Sequence, residues 1–436
     1  MVKKLETVVV GGGIAGIMAA YFLSQSGHKV TVLEADKVLQ GVTSHTTAKI
    51  NALQGKYKDI PTKKKRRKYF HAQIEAVDGI EQLVQEHNIK CGFERKGCFL
   101  FADKRSKKNL EKEYTIMRKF AGGIEYHTDA ELPFGKFDAV KLGDQAQFSA
   151  VEFCRGLIAN SKFDIIENCR IKKVCLCRRV LKTEDKAFRY KRVVFATGFP
   201  IVNIRGIYAF KMYKSFSYAV RVPWDGELDA IYCSMATDGF NYRSWSNDVV
   251  ISGLDHRTGR WRCDDYYAKL KSSPPLWRGG TAVGGDGVVE WSANDCMTFD
   301  NIPYAGRMFR WFHRRSAFVI SGFGKWGMTN SYISARIVDD IISKRKNPYR
   351  RLYKPTRVLN IAVWPSFLWN FLQDGCGLVA GLFSSRRKRC PHMGCRMKFN
   401  PNTKTWDCPC HGSRFTEKGD IIVSPAVDAN EVLMRK

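Results

Sequence analysis

Apolar residues follow two rhythms along this chain. Val8, Val9 and Val10 form a short unbroken run, the pattern of a strand covered on both faces. After Gly11, Gly13 and Gly16 the spacing becomes that of one helical face, with Ile14, Ile17, Tyr21 and Phe22, until Gly27 ends it. A second strand over Lys29–Leu33 then closes on Glu34. The helical rhythm returns with Phe70, Ile74, Val77, Ile80 and Val84, again near Lys107–Phe120, and over Val151–Asn160. Cys98–Ala102 and parts of Asp164–Val180 read as strands, and Arg192–Gly198 as a buried strand ending on a glycine. From Ser215 to Glu290, strand patterns alternate with turn residues, as in an antiparallel sheet. Ala317–Ser321 is another strand, followed by Gly322, Gly324 and Gly327 and a helix through Ile333, Ile337 and Ile341. The pattern predicts an α/β Rossmann-type domain with an α+β antiparallel-sheet domain inserted into it.

The first unit carries the chemistry of a dinucleotide site. In G-x-G-x-x-G the first glycine permits a tight turn, the second lets backbone approach a pyrophosphate, and the third lets helix and strand pack closely. The helix N-terminus offers unpaired N–H groups to the phosphates. Glu34, about 20 residues beyond the middle glycine, is placed to accept from a ribose hydroxyl, which favours an unphosphorylated ribose. A glycine triplet alone would describe any βαβ unit; here strand, helix, strand and acid come in order. The segment Gly41–Gly55, GVTSHTTAKINALQG, can supply hydroxyls and close backbone to a flavin nucleotide, although composition alone describes a Ser/Thr loop. The second glycine turn, at 322–327, suggests another contact on one long cofactor, or a turn needed only for packing.

Length, charge and cysteine usage narrow the setting. The 436 residues suffice for two or three domains. The chain runs from Lys3 and Lys4 straight into the first strand with no secretory pattern, so a cytoplasmic location is expected. The 14 cysteines, scattered through a large chain, read mostly as buried thiols in a reducing compartment. A net charge of +30 predicts affinity for anionic surfaces: nucleic acid, phospholipid or an acidic redox partner. The densest run, Lys63–Lys68, reads as a solvated surface, and no nucleic-acid-binding motif accompanies it. Val358–Phe383 is strongly apolar, with Asp374 its only charge and basic flanks at Arg350, Arg351, Lys354 and Arg357 and at Arg386–Arg389. Its length suits a membrane span, but Pro365, Asn370, Gln373, Asp374, Gly375 and Gly377 interrupt it. It is read as a connection packed on the flavin domain, with peripheral contact to anionic membrane as the alternative.

A second centre lies near the C-terminus, where Cys390-Pro-His392-Met-Gly-Cys395 is followed by Cys408-Pro-Cys410-His411-Gly-Ser413. Two thiolates and two imidazoles can bind zinc. They can also bind a Rieske 2Fe-2S cluster, with both cysteines on one iron and both histidines on the other. The extra cysteine in each loop and the H-G-S context favour the cluster.

These loops resemble the cluster-binding loops of Rieske proteins. The resemblance implies Cys390, His392, Cys408 and His411 as ligands, a disulfide between Cys395 and Cys410, and a Ser413 hydroxyl bonded to a cluster sulfur. Phe415 stands where high-potential members carry tyrosine, which implies a lower potential. Strands usually precede the first loop, but only residues 384–389 separate Phe383 from Cys390, so the small all-β Rieske domain is shortened. The remainder, Val2–Arg345, resembles the D-amino-acid-oxidase-like family of FAD-dependent oxidoreductases, and within it the bacterial group with a C-terminal Rieske domain. The matching stretches are VVVGGGIAG, LEA, GVTSHTTAK, VVFATG, ISGLDHRTG, DCMTFDNIPYAG and GFGKWGMT.

By that resemblance FAD lies with its pyrophosphate on Gly11, Gly13 and Gly16, its ribose on Glu34, and its flavin along Thr43, Thr46 and Thr47. Ile171 falls near the adenine, Gly198 in the returning strand, and Gly324 and Met328 near the isoalloxazine. The FAD-binding domain then comprises 1–89, 145–200 and 291–346, and the substrate domain 90–144 and 201–290. An apolar connection at 347–383 leads to the Rieske domain at 384–436. The implied function is oxidation of a small-molecule substrate, an amine or amino acid, with electrons passing between FAD and the 2Fe-2S cluster and on to an electron-transfer partner. Two other readings remain: a flavin reductase fed through the cluster, and a redox-sensing protein held to lipid or nucleic acid by its charge. His256 in DHRTG is the candidate substrate or flavin contact, set against a structural histidine in a turn. No nucleophile–base or paired-carboxylate arrangement stands out.

Overall fold

The structure, a computed structural model, describes residues 2–202, 207–224, 226, 228–260, 265–273, 287–308, 316–357, 363–385 and 388–429. Val358 at the head of the apolar stretch, and Arg386 and Arg387 in its flank, lie outside the described residues.

The valine run becomes the inner end of the strand Val2–Val10, buried from Thr7 onward. This strand pairs in parallel with Val30–Leu33 and Ala187–Phe195, and the sheet extends through Asp164–Ile166 on one side and Ala317–Ser321 on the other. The helix Ile14–Gln25 connects the first two strands, and Gly16 shows why the third glycine is needed. A Cβ there would stand 1.8 Å from the Gly11 carbonyl oxygen. The helix is buried continuously from Ile14 to Leu23, rather than on the single face its pattern predicts. Two distant helices, Gly327–Ile342 and Ala150–Ala159, enclose it, and Phe22 meets Tyr332 edge-on at 5.4 Å.

The two strand-patterned regions before and after the nucleotide domain's middle section join in one nine-stranded sheet. Its order is Val289–Thr298, Met212–Pro223, Asp248–Arg257, Phe240–Trp245, Ala230–Ser234, Glu94–Ala102, Gly135–Gln147 and Lys49–Ile50, with Ile124–Leu132 also on Gly135–Gln147. Every pairing in it is antiparallel except that of Ala230–Ser234 with Glu94–Ala102. The basic run forms the first turns of the helix Lys63–Glu86, capped by Thr62. Arg66 donates to the carbonyls of Ile60 and Lys58, while Lys63, Lys64, Arg67 and Lys68 are exposed.

The apolar connection is a helix, Trp364–Leu382. Of the residues that read as interruptions, Asn370, Gln373, Asp374 and Gly377 lie on its contact face, while Pro365 is exposed. A Cβ on Gly377 would stand 2.6 Å from Cys410 Sγ, and one on Gly381 2.0 Å from the Gly394 carbonyl oxygen. The Arg396 N–H donates to the Gly377 carbonyl at 3.1 Å. Among the described residues no helix is long and apolar enough to cross a membrane. The C-terminal sheet has four antiparallel strands, Lys398–Asn400, Thr405–Asp407, Arg414–Thr416 and Ile421–Val423, all beyond the first cysteine loop. The helix backs the cysteine loops where preceding strands were expected.

Candidate functional site

A cavity of about 470 Å³ lies beside the glycine turn at the ends of the parallel strands. Gly11, Gly13, Glu34, Thr43 and Thr46 line it, joined by Ile171, Gly198 and Met328 from distant parts of the chain. The backbone there is shaped for close approach: Gly11 has φ +109°, and a Cβ on it would meet the Ala196 carbonyl oxygen at 2.5 Å. Glu34 is fixed at its strand end by the N–H groups of Gly12 and Asp36. Thr43 Oγ1 accepts from the Ile14 N–H at 2.9 Å, tying the hydroxyl-rich loop to the helix N-terminus. A glycine turn at a helix N-terminus beside a strand-end acid fits a dinucleotide.

Gly16, Thr47 and Gly324 are not in the cavity lining. Gly16 lies behind the turn, against Gly11. Gly324 has φ +56° and takes the chain past Lys56, whose Nζ would be 3.7 Å from a Cβ there. Lys56 is 8% exposed, with its ammonium 4.8 Å from the Tyr69 ring centroid. Burial draws it down to about 7.

A second cavity, of about 380 Å³, shares Thr43 and Thr46 with the first and is otherwise lined mainly by the antiparallel sheet. Arg221, Arg243, Trp245 and Trp291 contribute to it. Arg221 is paired with Asp248 at 3.2 Å. Arg243 is 4% exposed, rests 4.7 Å over the Trp245 ring and donates to the Phe148 carbonyl at 3.4 Å. It has no carboxylate within ion-pair distance among the described residues, and its Nε has no hydrogen-bond partner. Burial draws its guanidinium down to about 9. A buried cation of this kind complements a ligand's carboxylate. Nothing in the local sequence NYRSW marked it.

At the C-terminal centre the two loops bring all the expected ligands together. The Cys390 and Cys408 thiols are hydrogen-bonded neighbours, and the imidazoles of His392 and His411 lie with centroids 5.0 Å apart. The Cys390 thiol, with Cys395 and Cys410 beyond it, holds Cys408 well below the ordinary thiol range, towards the thiolate a metal takes. His411 is 2% exposed, and although its imidazole lies against the Ala209 backbone, at least one ring nitrogen is left without a partner among the described residues, which suits coordination. Cys395 and Cys410, the pair expected to join the two loops, stand side by side. Both are free thiols, and their sulfurs form a group with that of Cys408 within 4.8 Å. Outside the loops, Cys91, Cys98, Cys154, Cys169, Cys233 and Cys296 are buried free thiols, while Cys177 and Cys376 are exposed.

The two centres share a wall. Residues 421–424, 426 and 427 of the C-terminal domain line the nucleotide cavity together with the glycine turn. Ser424 donates to the Thr197 carbonyl, and Phe199, two residues further on, lies 6.1 Å from the His411 ring. Asn294, which also lines the cavity, donates to the Gly412 carbonyl at 3.0 Å.

His256 does not line either cavity. It stacks on Phe216 at 5.5 Å, its Nδ1 lies 2.8 Å from the Arg257 carbonyl, and burial lowers its pKa, all of which suits a structural role. The adjacent Arg257 makes the longer reach. Its guanidinium donates to the carbonyls of Pro409 and Cys410 and to the side chains of Gln373 and Asp374.

A family model described as FAD dependent oxidoreductase matches residues 6–341, and one described as Rieske [2Fe-2S] domain matches 378–433. The putative Rieske 2Fe-2S iron-sulfur protein YhfW of Bacillus subtilis is 27% identical, over 97% of this chain and 92% of its own. Glycine oxidase from Geobacillus kaustophilus is similar in fold, with TM-score 0.68 at 18% identity, covering 82% of this chain and 100% of that one. L-proline dehydrogenase from P. horikoshii gives TM-score 0.65 at 17% identity, covering 82% and 98%.

Proposed function

The chain belongs to the family of FAD-dependent oxidoreductases and carries a C-terminal Rieske [2Fe-2S] domain, and from that premise we propose that it oxidises a small amino acid at its C–N bond and passes the electrons singly to the cluster. Bound FAD supplies two-electron acceptance, and the cluster one-electron carriage. The glycine turn at Gly11 and Gly13, with the Gly13 N–H and the helix behind it, would hold the pyrophosphate, Glu34 the ribose, and Thr43, Thr46, Ile171, Gly198 and Met328 the rest of the nucleotide. Cys390, Cys408, His392 and His411 would hold the cluster.

The observation that carries this reading is the shared wall. Residues 421–424, 426 and 427 and the glycine turn bound one cavity, and Phe199, next to the Thr197–Gly198 lining, lies 6.1 Å from the His411 ring. The substrate class rests on Arg243, whose buried guanidinium would fix a carboxylate in the cavity next to Thr43 and Thr46. The names of the glycine oxidase and L-proline dehydrogenase that share the fold agree with it.

An anaerobic screen of amino acids and their decarboxylated amines on cofactor-replete protein tests this, following flavin absorbance and cluster EPR together. An amino acid is expected to bleach the flavin and raise the reduced-cluster signal, its amine doing so more weakly. Bleaching without an EPR change removes the cluster from the path. No bleaching by any amino acid removes C–N oxidation.

A further inference from the structure

The helix Trp364–Leu382 presents its faces in reverse. Toward the protein it turns Asn370, Asp374, Gly377 and Gly381, against the cluster loops and Arg257. Toward solvent it turns Leu368, Trp369, Phe371, Leu372, Val379 and Leu382, each more than half exposed, with Phe383 following at 87%. No charged residue interrupts this outer face, because Asp374, the only one on the helix, is 4% exposed and paired inward. A contiguous apolar surface of this kind on a soluble domain marks a contact site.

The surroundings say what covers it. Arg350, Arg351 and Lys354 are exposed in the segment leading to the helix, and Lys388, Arg396 and Lys398 in the segment leaving it. The whole chain carries +30. Trp364 and Trp369, both about half exposed or more, are the residue type that settles at a lipid–water boundary. We propose that this helix lies flat in the interface of an anionic phospholipid bilayer, its outer face among the acyl chains and the flanking cations at the headgroups. A protein partner would be met by a mixed apolar and polar surface with hydrogen bonds, which this face lacks. A second copy would bring two like-charged flanks together. The seat also puts the cluster loops one helix thickness, about 10 Å, from lipid.

The test is sedimentation of the holoprotein with vesicles of phosphatidylcholine alone or with about 30 mol% phosphatidylglycerol. Binding is expected on the anionic vesicles and is expected to weaken as salt rises from about 0.1 to 0.5 M. Trp369→Ser combined with Leu372→Ser is expected to lower binding by about tenfold or more, with flavin and cluster per chain unchanged. Quenching of tryptophan emission by brominated lipid in the unmodified protein gives a readout that needs no substitution. No binding to anionic vesicles, no quenching, or an unchanged affinity in a correctly loaded variant each overturns the proposal. So does a dimer that Leu372→Ser converts to monomer without any vesicle binding.

Discussion

The Arg257 guanidinium lies 2.8 Å from the Asp374 carboxylate, joining the nine-stranded sheet to the helix that backs the cluster loops. The pair is nearly closed to water, so burial pushes Asp374 up to about 7 and draws Arg257 down despite their attraction. Arg257→Ala leaves a buried acid unpaired and strips the Pro409 and Cys410 carbonyls of their donor. A loss of about 3–5 kcal/mol is expected in urea unfolding, with the cluster EPR signal lost before the flavin absorbance. Arg257→Lys is expected to recover little, since one ammonium cannot reach four acceptors on two segments.

Ser413 and Phe415 are both fully buried beside the cysteine loops. Ser413 Oγ accepts from the Ala426 N–H at 3.0 Å, which leaves its own proton available for a sulfur. Hydroxyl donors stabilise the more negative, reduced cluster. Phe415→Tyr is therefore expected to raise the reduction potential and Ser413→Ala to lower it, each read by a redox titration followed by EPR. Unchanged potentials in both variants would mean that neither position addresses a cluster sulfur.

Lys56 makes stability depend on pH in a defined window. Its folded pKa is depressed from 10.5 to about 7 by burial, with Asp300 and Glu113 opposing only in part. Between those values the unfolded chain holds a proton that the folded chain lacks, so stability rises with pH from about 7 to 10.5. Below about 7 both states are protonated and the full penalty, on the order of a few kcal/mol, is present. Lys56→Met is expected to flatten the urea-midpoint profile across this window and to raise stability below it. A parent profile without that slope would show that Lys56 stays charged in the fold.

What could be read from the sequence was local. The glycine turn, its flanking strands and Glu34 are contiguous, and each obeys a rule that holds within about thirty residues. The cysteine–histidine loops are likewise self-contained. The helix Ile14–Gln25 departed from its one-faced pattern because residues 150–159 and 327–342 close around it. Gly377 resembled a helix breaker because nothing near it in sequence reveals Cys410 pressing on it. His256 drew attention by its residue type, whereas its neighbour Arg257 does the joining. Arg243 had no local signature, since its meaning comes from burial without a counter-ion.

The nucleotide cavity takes its floor from residues 11–46 and part of its wall from residues 421–427. On the ribosome these ends emerge roughly tens of seconds apart, at about 5–20 residues per second. For that interval the nascent chain has a phosphate cradle with one side missing. A product clipped before residue 421 keeps that side of the cavity open to solvent for good.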